Sequence, residues 1–285
     1  MIMSIFKILA VTAVALFALG GWRWADIKAD QANWNDLASH QSRAPDTFDV
    51  STVAGLPDPA QRYFRFAIDP GTPLYTVAEI SMKGEFSLGS KADPNYLPMQ
   101  AEQILAAPHG FIWRVRTGNA VSIAGSDGAN DGESWSRFWL MGILPVARAG
   151  FNEDHARAAF GRYVAEALFW TPAALLPGDN IRWESVDNST ARVTLTYMGL
   201  AQAVDISVDA DGRPTKVVFQ RWSDANPKKT FQLQPFGGYL SEYQEFSGFH
   251  LPTRVVAGNF FETDDYFPFF EATVTSIRFP TSREN

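Results

Sequence analysis

Arg162 and Glu166 stand one helical turn apart in GRYVAEALFWTPAALLPG, residues 161 to 178. On a helix, an i,i+4 pair of this kind puts guanidinium and carboxylate on the same side. Glu166 lies just ahead of two adjacent aromatics, Phe169 and Trp170. A carboxylate held in an apolar pocket gains a raised pKa and can act as a general acid. With Arg162 a turn away and no second acid or histidine beside it in sequence, an ion pair is the favoured reading, and catalysis the alternative.

Other chemistry-bearing stretches carry less. GESWS comes close to a nucleophile elbow around Ser134, but Ser136 replaces the closing glycine and no strand-to-helix parallel unit surrounds it. SDGANDGESW offers Asp127, Asp131 and Gly132 to a calcium loop, yet Ala129 and Phe138 sit where ligands are required, so a hairpin loop is expected. FETDDYF, with Glu262, Asp264 and Asp265, reads as an acidic loop or a weak cation site. His40, His109, His155 and His250 show no metal-ligand spacing. Neither a cofactor nor a metal is expected, and the chain is not expected to be an enzyme.

These residues must be positioned by strands and one helical segment. FIWRVRTG alternates Phe111, Trp113 and Val115 with Ile112, Arg114 and Arg116, the period of a half-buried strand. ARVTLTYMG does the same with Val193, Leu195 and Tyr197, and an Asp-Gly turn at 211–212 joins two further strands. The pattern predicts ten to twelve antiparallel strands, more than one flat sheet usually carries without curling. The fold class is mainly β (α+β): a large curved antiparallel sheet or partial barrel. A central helical insertion over 136–177 is expected to pack in its concave side, with Asn152 as its cap. Near the domain start, Asp58 is expected to cap a short aromatic-faced helix that begins with Pro59.

The aromatic share of 14%, with 22 Phe and 9 Trp, exceeds what a merely soluble domain needs. Such rings either fill the core or line a cavity between packed layers. The residues expected at such an apolar site are Phe111, Trp113, Trp135, Phe138, Trp139, Phe169 and Trp170, with Arg162 or Glu166 at a polar rim. A formal charge of -7 with no Lys/Arg cluster excludes nucleic acid. The absence of cysteine excludes disulfides, thiolate metal sites and a lipidated N-terminal cysteine.

The uncharged run Ile8–Trp22 spans about 22 Å as helix, against roughly 30 Å of bilayer core. Flanking Ile5 and Phe6, with Lys7 snorkelling, close most of that gap. Trp22 and Trp24 around Arg23 favour an uncleaved transmembrane helix over a signal peptide cut after Ala-Leu-Gly. The expected plan is therefore an anchor over 1–24, a juxtamembrane spacer over 25–55 and a folded domain over 56–285. The expected place is the bacterial inner membrane with the domain on the periplasmic side.

LPDPAQRYFRFA, GRYVAEALFWTPAALLPG, EFSGFHLPTRVVAGNFF and DYFPFFEATVTSIRF, in this order over residues 56–279, resemble an uncharacterised bacterial envelope family, a domain of unknown function. The sheet-plus-helix plan is also similar to the LolA and LolB lipoprotein carriers. That resemblance implies a curved antiparallel sheet closed by helices over a cavity for acyl chains. LolB-like proteins are anchored through a lipidated cysteine, which this chain lacks, so the resemblance implies a tethered binder of a lipid or hydrophobic small molecule. A docking module for an envelope protein partner, or a hydrolase, are the alternatives.

Overall fold

The structure, a computed structural model, describes residues 2–280. Met1 and residues 281–285, the outer ends of the expected anchor and domain, lie outside the described residues. Thirteen strands form one open antiparallel sheet. They are β1 (Ala78–Ser87), β2 (Tyr96–Ala106), β3 (Gly110–Gly118), β4 (Ser122–Asn130), β5 (Glu133–Leu140), β6 (Leu144–Gly150), β7 (Ile181–Ser185), β8 (Thr190–Tyr197), β9 (Leu200–Val208), β10 (Pro214–Ser223), β11 (Gln232–Phe246), β12 (Phe249–Asn259) and β13 (Phe267–Arg278). Their spatial order is β6-β5-β4-β3-β2-β1-β13-β12-β11-β10-β9-β8-β7. Two meanders thus meet where β1 pairs with β13.

Among the described residues three α-helices accompany the sheet: α1 (Ile2–Ser39), α2 (Asp58–Ala67) and α3 (Glu153–Trp170). The α3 helix touches β2 to β6 of one meander and β9, β10 and β12 of the other, so the sheet curls around it. The curl brings hairpin tips from the two meanders together, where the Tyr197 hydroxyl donates to Asp131 at 2.8 Å and lies 3.1 Å from His109 Nδ1. The main core lies between this inner face and α2 with α3, and includes Phe64, Phe160, Leu168, Trp170, Val193 and Phe249.

The outer face is covered by α1, and this departs from the expected plan. Residues 25–39, read as part of a spacer, continue α1 and pack on the sheet. Trp34 and Leu37 join Val77, Ile104, Ile112 and Trp135 in a second, smaller cluster. The α1 helix is held by polar contacts as well. Arg148 grips Asp26 with two hydrogen bonds of 2.7 and 2.9 Å, Trp139 Nε1 donates to the same carboxylate at 2.9 Å, and Trp34 Nε1 donates to Glu79 at 2.9 Å.

Among the described residues no helix is long and apolar enough to cross a membrane, so the expected transmembrane helix is set aside. The apolar run is short for a bilayer and leads directly into the turns that pack on the sheet. Ahead of those turns, Phe6, Leu9, Val11, Val14, Leu16 and Phe17 are all exposed.

The helical insertion expected over 136–177 is also shorter than predicted, because 133–150 form β5 and β6. Asp131 and Gly132 turn that corner with φ of 41° and 88°, as a two-residue hairpin of the primed type requires. The expected cap is present: Asn152 Oδ1 accepts from the His155 amide at 2.9 Å. At α2 the cap is Pro57, and Asp58 instead pairs with Arg62 at 2.9 Å.

Candidate functional site

Between α3 and the inner face of the sheet lies a cavity of about 240 Å³. A single water needs only about 10–15 Å³ measured in this way, so the space is an order of magnitude larger. Strand alternation decides what faces it. Trp113 on β3, Phe138 on β5, Val217 and Phe219 on β10, Phe236 on β11 and Phe270 on β13 all point inward.

The α3 helix contributes Arg162, Ala165, Glu166, Phe169 and Trp170. Gly161 lets it sit close to the sheet, since a Cβ there would meet Gln202 Oε1 at 2.7 Å. Phe169 and Trp170 lock edge to face at 4.7 Å. The Trp170 indole donates to the Pro252 carbonyl at 3.4 Å, and the Tyr63 hydroxyl donates to the Leu168 carbonyl at 2.6 Å. Thr171, where α3 ends and the short 3₁₀ turn Pro172–Leu175 begins, makes no side-chain cap.

Of the residues expected at an apolar site, Trp113, Phe138, Arg162, Glu166, Phe169 and Trp170 come together here. Phe111 is buried on the same face but lies outside the lining, its ring 4.5 Å beneath the Arg162 guanidinium. Trp135 and Trp139 are on the opposite face. Trp135 packs with Trp34 and Leu37 of α1, and Trp139 meets Asp26 and the ring of Trp22. Residues of odd and even number on a strand face opposite ways, so β5 cannot send Trp135 and Phe138 into one cavity.

One wall is polar. Arg162 Nε donates to Glu166 at 2.8 Å and its NH1 to Asp127 at 2.7 Å, while NH2 reaches Gln103 at 3.4 Å. Gln103, fully buried, donates to the other Glu166 oxygen at 2.6 Å. Burial works against the Arg162 charge, but Glu166 and Asp127 outweigh it and hold its pKa above the ordinary value. Glu166 is thus an ion-pair partner, as the spacing suggested.

Asp127 also accepts from Ser136 Oγ at 2.8 Å, and Ser136 lies 3.1 Å from His155 Nε2, whose Nδ1 is 2.8 Å from Ser134 Oγ. Ser136 reaches the cavity, whereas Ser134 is only 1% exposed and lies outside its lining. Asp127 can only accept from Ser136, while the tautomer of His155 sets which atom donates in its contacts with Ser136 and Ser134.

Sequence reasoning missed Arg221. It lines the same cavity, its guanidinium 4.8 Å from the centre of the Phe236 ring. Burial, followed by the repulsion of Arg162, pulls its pKa down to about 10. The signal was present in TKVVFQRW, where Val217, Phe219 and Arg221 fall on one side at period two.

Among the described residues, His40, His109 and Asp131 form the only group of three or more metal-ligating side chains whose atoms lie within 4.8 Å of one another. The two imidazoles stack at 3.6 Å, and His109 Nδ1 is 3.0 Å from Asp131. The spacing of the histidines gave no hint of this group, because its members come from the end of α1 and two hairpin turns. His109 and Asp131 hydrogen-bond each other and Tyr197, with His40 stacked on His109, and so clasp the two meanders.

The chain belongs to a family of unknown function (DUF6544), which it matches over residues 46–272. No curated protein matches it. Among solved structures, a LolA superfamily protein from Nitrosomonas europaea is similar at 11% identity and a TM-score of 0.39, covering 78% of this chain and 92% of that one. A DUF1329 family protein from Desulfovibrio piger is similar at 11% identity and a TM-score of 0.39, covering 79% and 92%. Likenesses this distant say nothing about ligand or activity.

Proposed function

We propose that the protein binds a lipid or other hydrophobic small molecule in the cavity between α3 and the sheet, without transforming it. The observation that carries this reading is the space itself, about 240 Å³ walled chiefly by aromatic and aliphatic side chains. Protein interiors are otherwise close-packed, and apolar clefts with a few placed polar groups are the usual form of a ligand site.

The same proposal places the chain at the bacterial envelope. The exposed apolar residues of α1, from Phe6 to Phe17, would rest against a lipid surface, which co-flotation of the full chain with phospholipid vesicles checks. The cavity is tested with an apolar fluorescent probe displaced by dodecanol. Saturable displacement is expected in the natural protein and none in Ala165→Phe, which fills the space from α3. Equal displacement in both, with Ala165→Phe folded by circular dichroism, would remove the cavity from consideration.

A further inference from the structure

Two guanidinium groups face the cavity, and only one has partners. Every polar arm of Arg162 is engaged, by Glu166, Asp127 and Gln103. For Arg221, no carboxylate lies within salt-bridge distance among the described residues, and its Nε is buried without any hydrogen-bond partner. Trp113 Nε1, on another residue of the same lining, is likewise buried with no acceptor. The buried Nε loses its hydration without a hydrogen bond in exchange, and the Phe236 ring is the guanidinium's nearby compensation. Arginine stays cationic at neutral pH even with its pKa drawn down to about 10.

Position supplies the second half of the inference. Arg221 borders the apolar cavity on one side and a polar recess of about 170 Å³ on the other, lined by Ser136, His155, Ser223 and Asp224. Arg162, Asp127 and Ser136 stand at the same border. Asp127 is already engaged by Arg162 and Ser136, which leaves Arg221 as the open cationic contact at the junction, with the Asp224 carboxylate further along the polar recess. A molecule whose tail fills the aromatic space would bring its head to this guanidinium.

Resting on the proposed cavity, we infer that the ligand is an anionic amphiphile, with a carboxylate or phosphate head bound by Arg221 and an alkyl tail packed among Trp113, Phe169, Phe219 and Phe270. The planar fork of an arginine matches either oxyanion with two parallel hydrogen bonds.

The test compares dodecanoate, dodecyl phosphate and uncharged dodecanol by calorimetry on the full chain, in the natural protein and in Arg221→Met and Arg221→Lys. At least one anion is expected to bind about tenfold or more tightly than dodecanol, since a hydrogen-bonded charge contributes about that much. Arg221→Met should erase the preference by weakening the anion and leaving dodecanol unchanged, while Arg221→Lys retains part of it. Whichever of dodecanoate and dodecyl phosphate binds more tightly identifies a carboxylate or a phosphate source. Equal binding of anion and alcohol in the natural protein, or an anion preference that survives Arg221→Met, would overturn the assignment while keeping the cavity. Binding of none of the three would overturn both.

Discussion

The two faces of the sheet differ in what their charged groups border. On the outer face, under α1, Asp26 accepts from Arg148 and Trp139, Glu79 from Trp34, and Asn130 donates to both Asn33 and Asp36. The fit there is also incomplete, since recesses of about 610 and 630 Å³ remain between α1 and the sheet, and Asp30 Oδ1 and Arg114 NH2 are buried without a hydrogen bond. On the inner face, α3 is fitted to the sheet only in part, and the remainder is open space beside an unpaired arginine. Ion pairs tie α1 to the outer face, whereas on the inner face Arg221, with no carboxylate within salt-bridge distance among the described residues, stands beside an apolar cavity.

The sharpest way to break this contrast is Arg162→Met. It leaves Asp127 and Glu166 facing each other across a largely buried gap, so a loss of about 3–5 kcal/mol is expected in urea unfolding. A loss below about 1 kcal/mol would mean the inner-face pair is solvated and the cavity wet. The outer-face counterpart is Asp26→Ala, which strands the Trp139 N–H and the Arg148 guanidinium, with an expected cost of about 1–3 kcal/mol.

Asp26 also gives this face a pH signature. Burial raises its pKa, but the hydrogen bonds from Arg148 and Trp139 and the charges of Arg148 and Arg137 reverse the shift, and its net displacement is below 3.8. Its contribution is therefore present above about pH 4 and lost as the pH falls through the lowered folded value. Acid titration of Asp26→Ala should lack that part of the loss.

Arg221→Met sharpens the comparison from the other side. With no partner to abandon, it is expected to change stability by less than about 1 kcal/mol or to raise it. A large loss would show that Arg221 is a structural counter-ion.

The smallest effect concerns the clasp. Burial, then the neighbouring His109, lowers the His40 pKa below 6.5, against the opposing pull of Asp131 and Asp36. The neutral form is thus favoured by folding, and its contribution is full above about pH 6.5 and lost as the pH falls below that. The urea midpoint should decline slightly between pH 7 and 5.5, and His40→Asn should flatten the decline.

Much of the sheet was legible because its two sides differ. Phe111, Trp113 and Val115 against Ile112, Arg114 and Arg116 is a pattern that only a half-buried strand explains, and the faces fell as read. What failed was parity. Trp135, Phe138 and Trp139 were grouped by aromaticity, although the odd and even positions of β5 part company. Strand β6 was hidden because MGILPVARAG has few β-branched residues and an internal proline, and its edge position tolerates both.

The packed part of α1 was taken for a spacer on its polar composition. Asp26, Asp30, Trp34 and Leu37 nevertheless lie at i, i+4, i+8 and i+11, one face of a helix, and all four are buried. A carboxylate stripe does not look like a buried face until its partners on distant strands, Arg148 and Arg137, are known. Arg221 was lost for the same reason, as a charge on an apolar strand face that local sequence treats as an exception.

The central claim, that the inner face holds a hydrophobic ligand, is tested most directly by native mass spectrometry of the complete protein, gently extracted from its own cells. The expected result is a stoichiometric adduct of lipid mass that solvent extraction releases and that Ala165→Phe lacks. A protein empty in every preparation, or an adduct undiminished in folded Ala165→Phe, would contradict the claim and return Phe169 and Trp170 to the core.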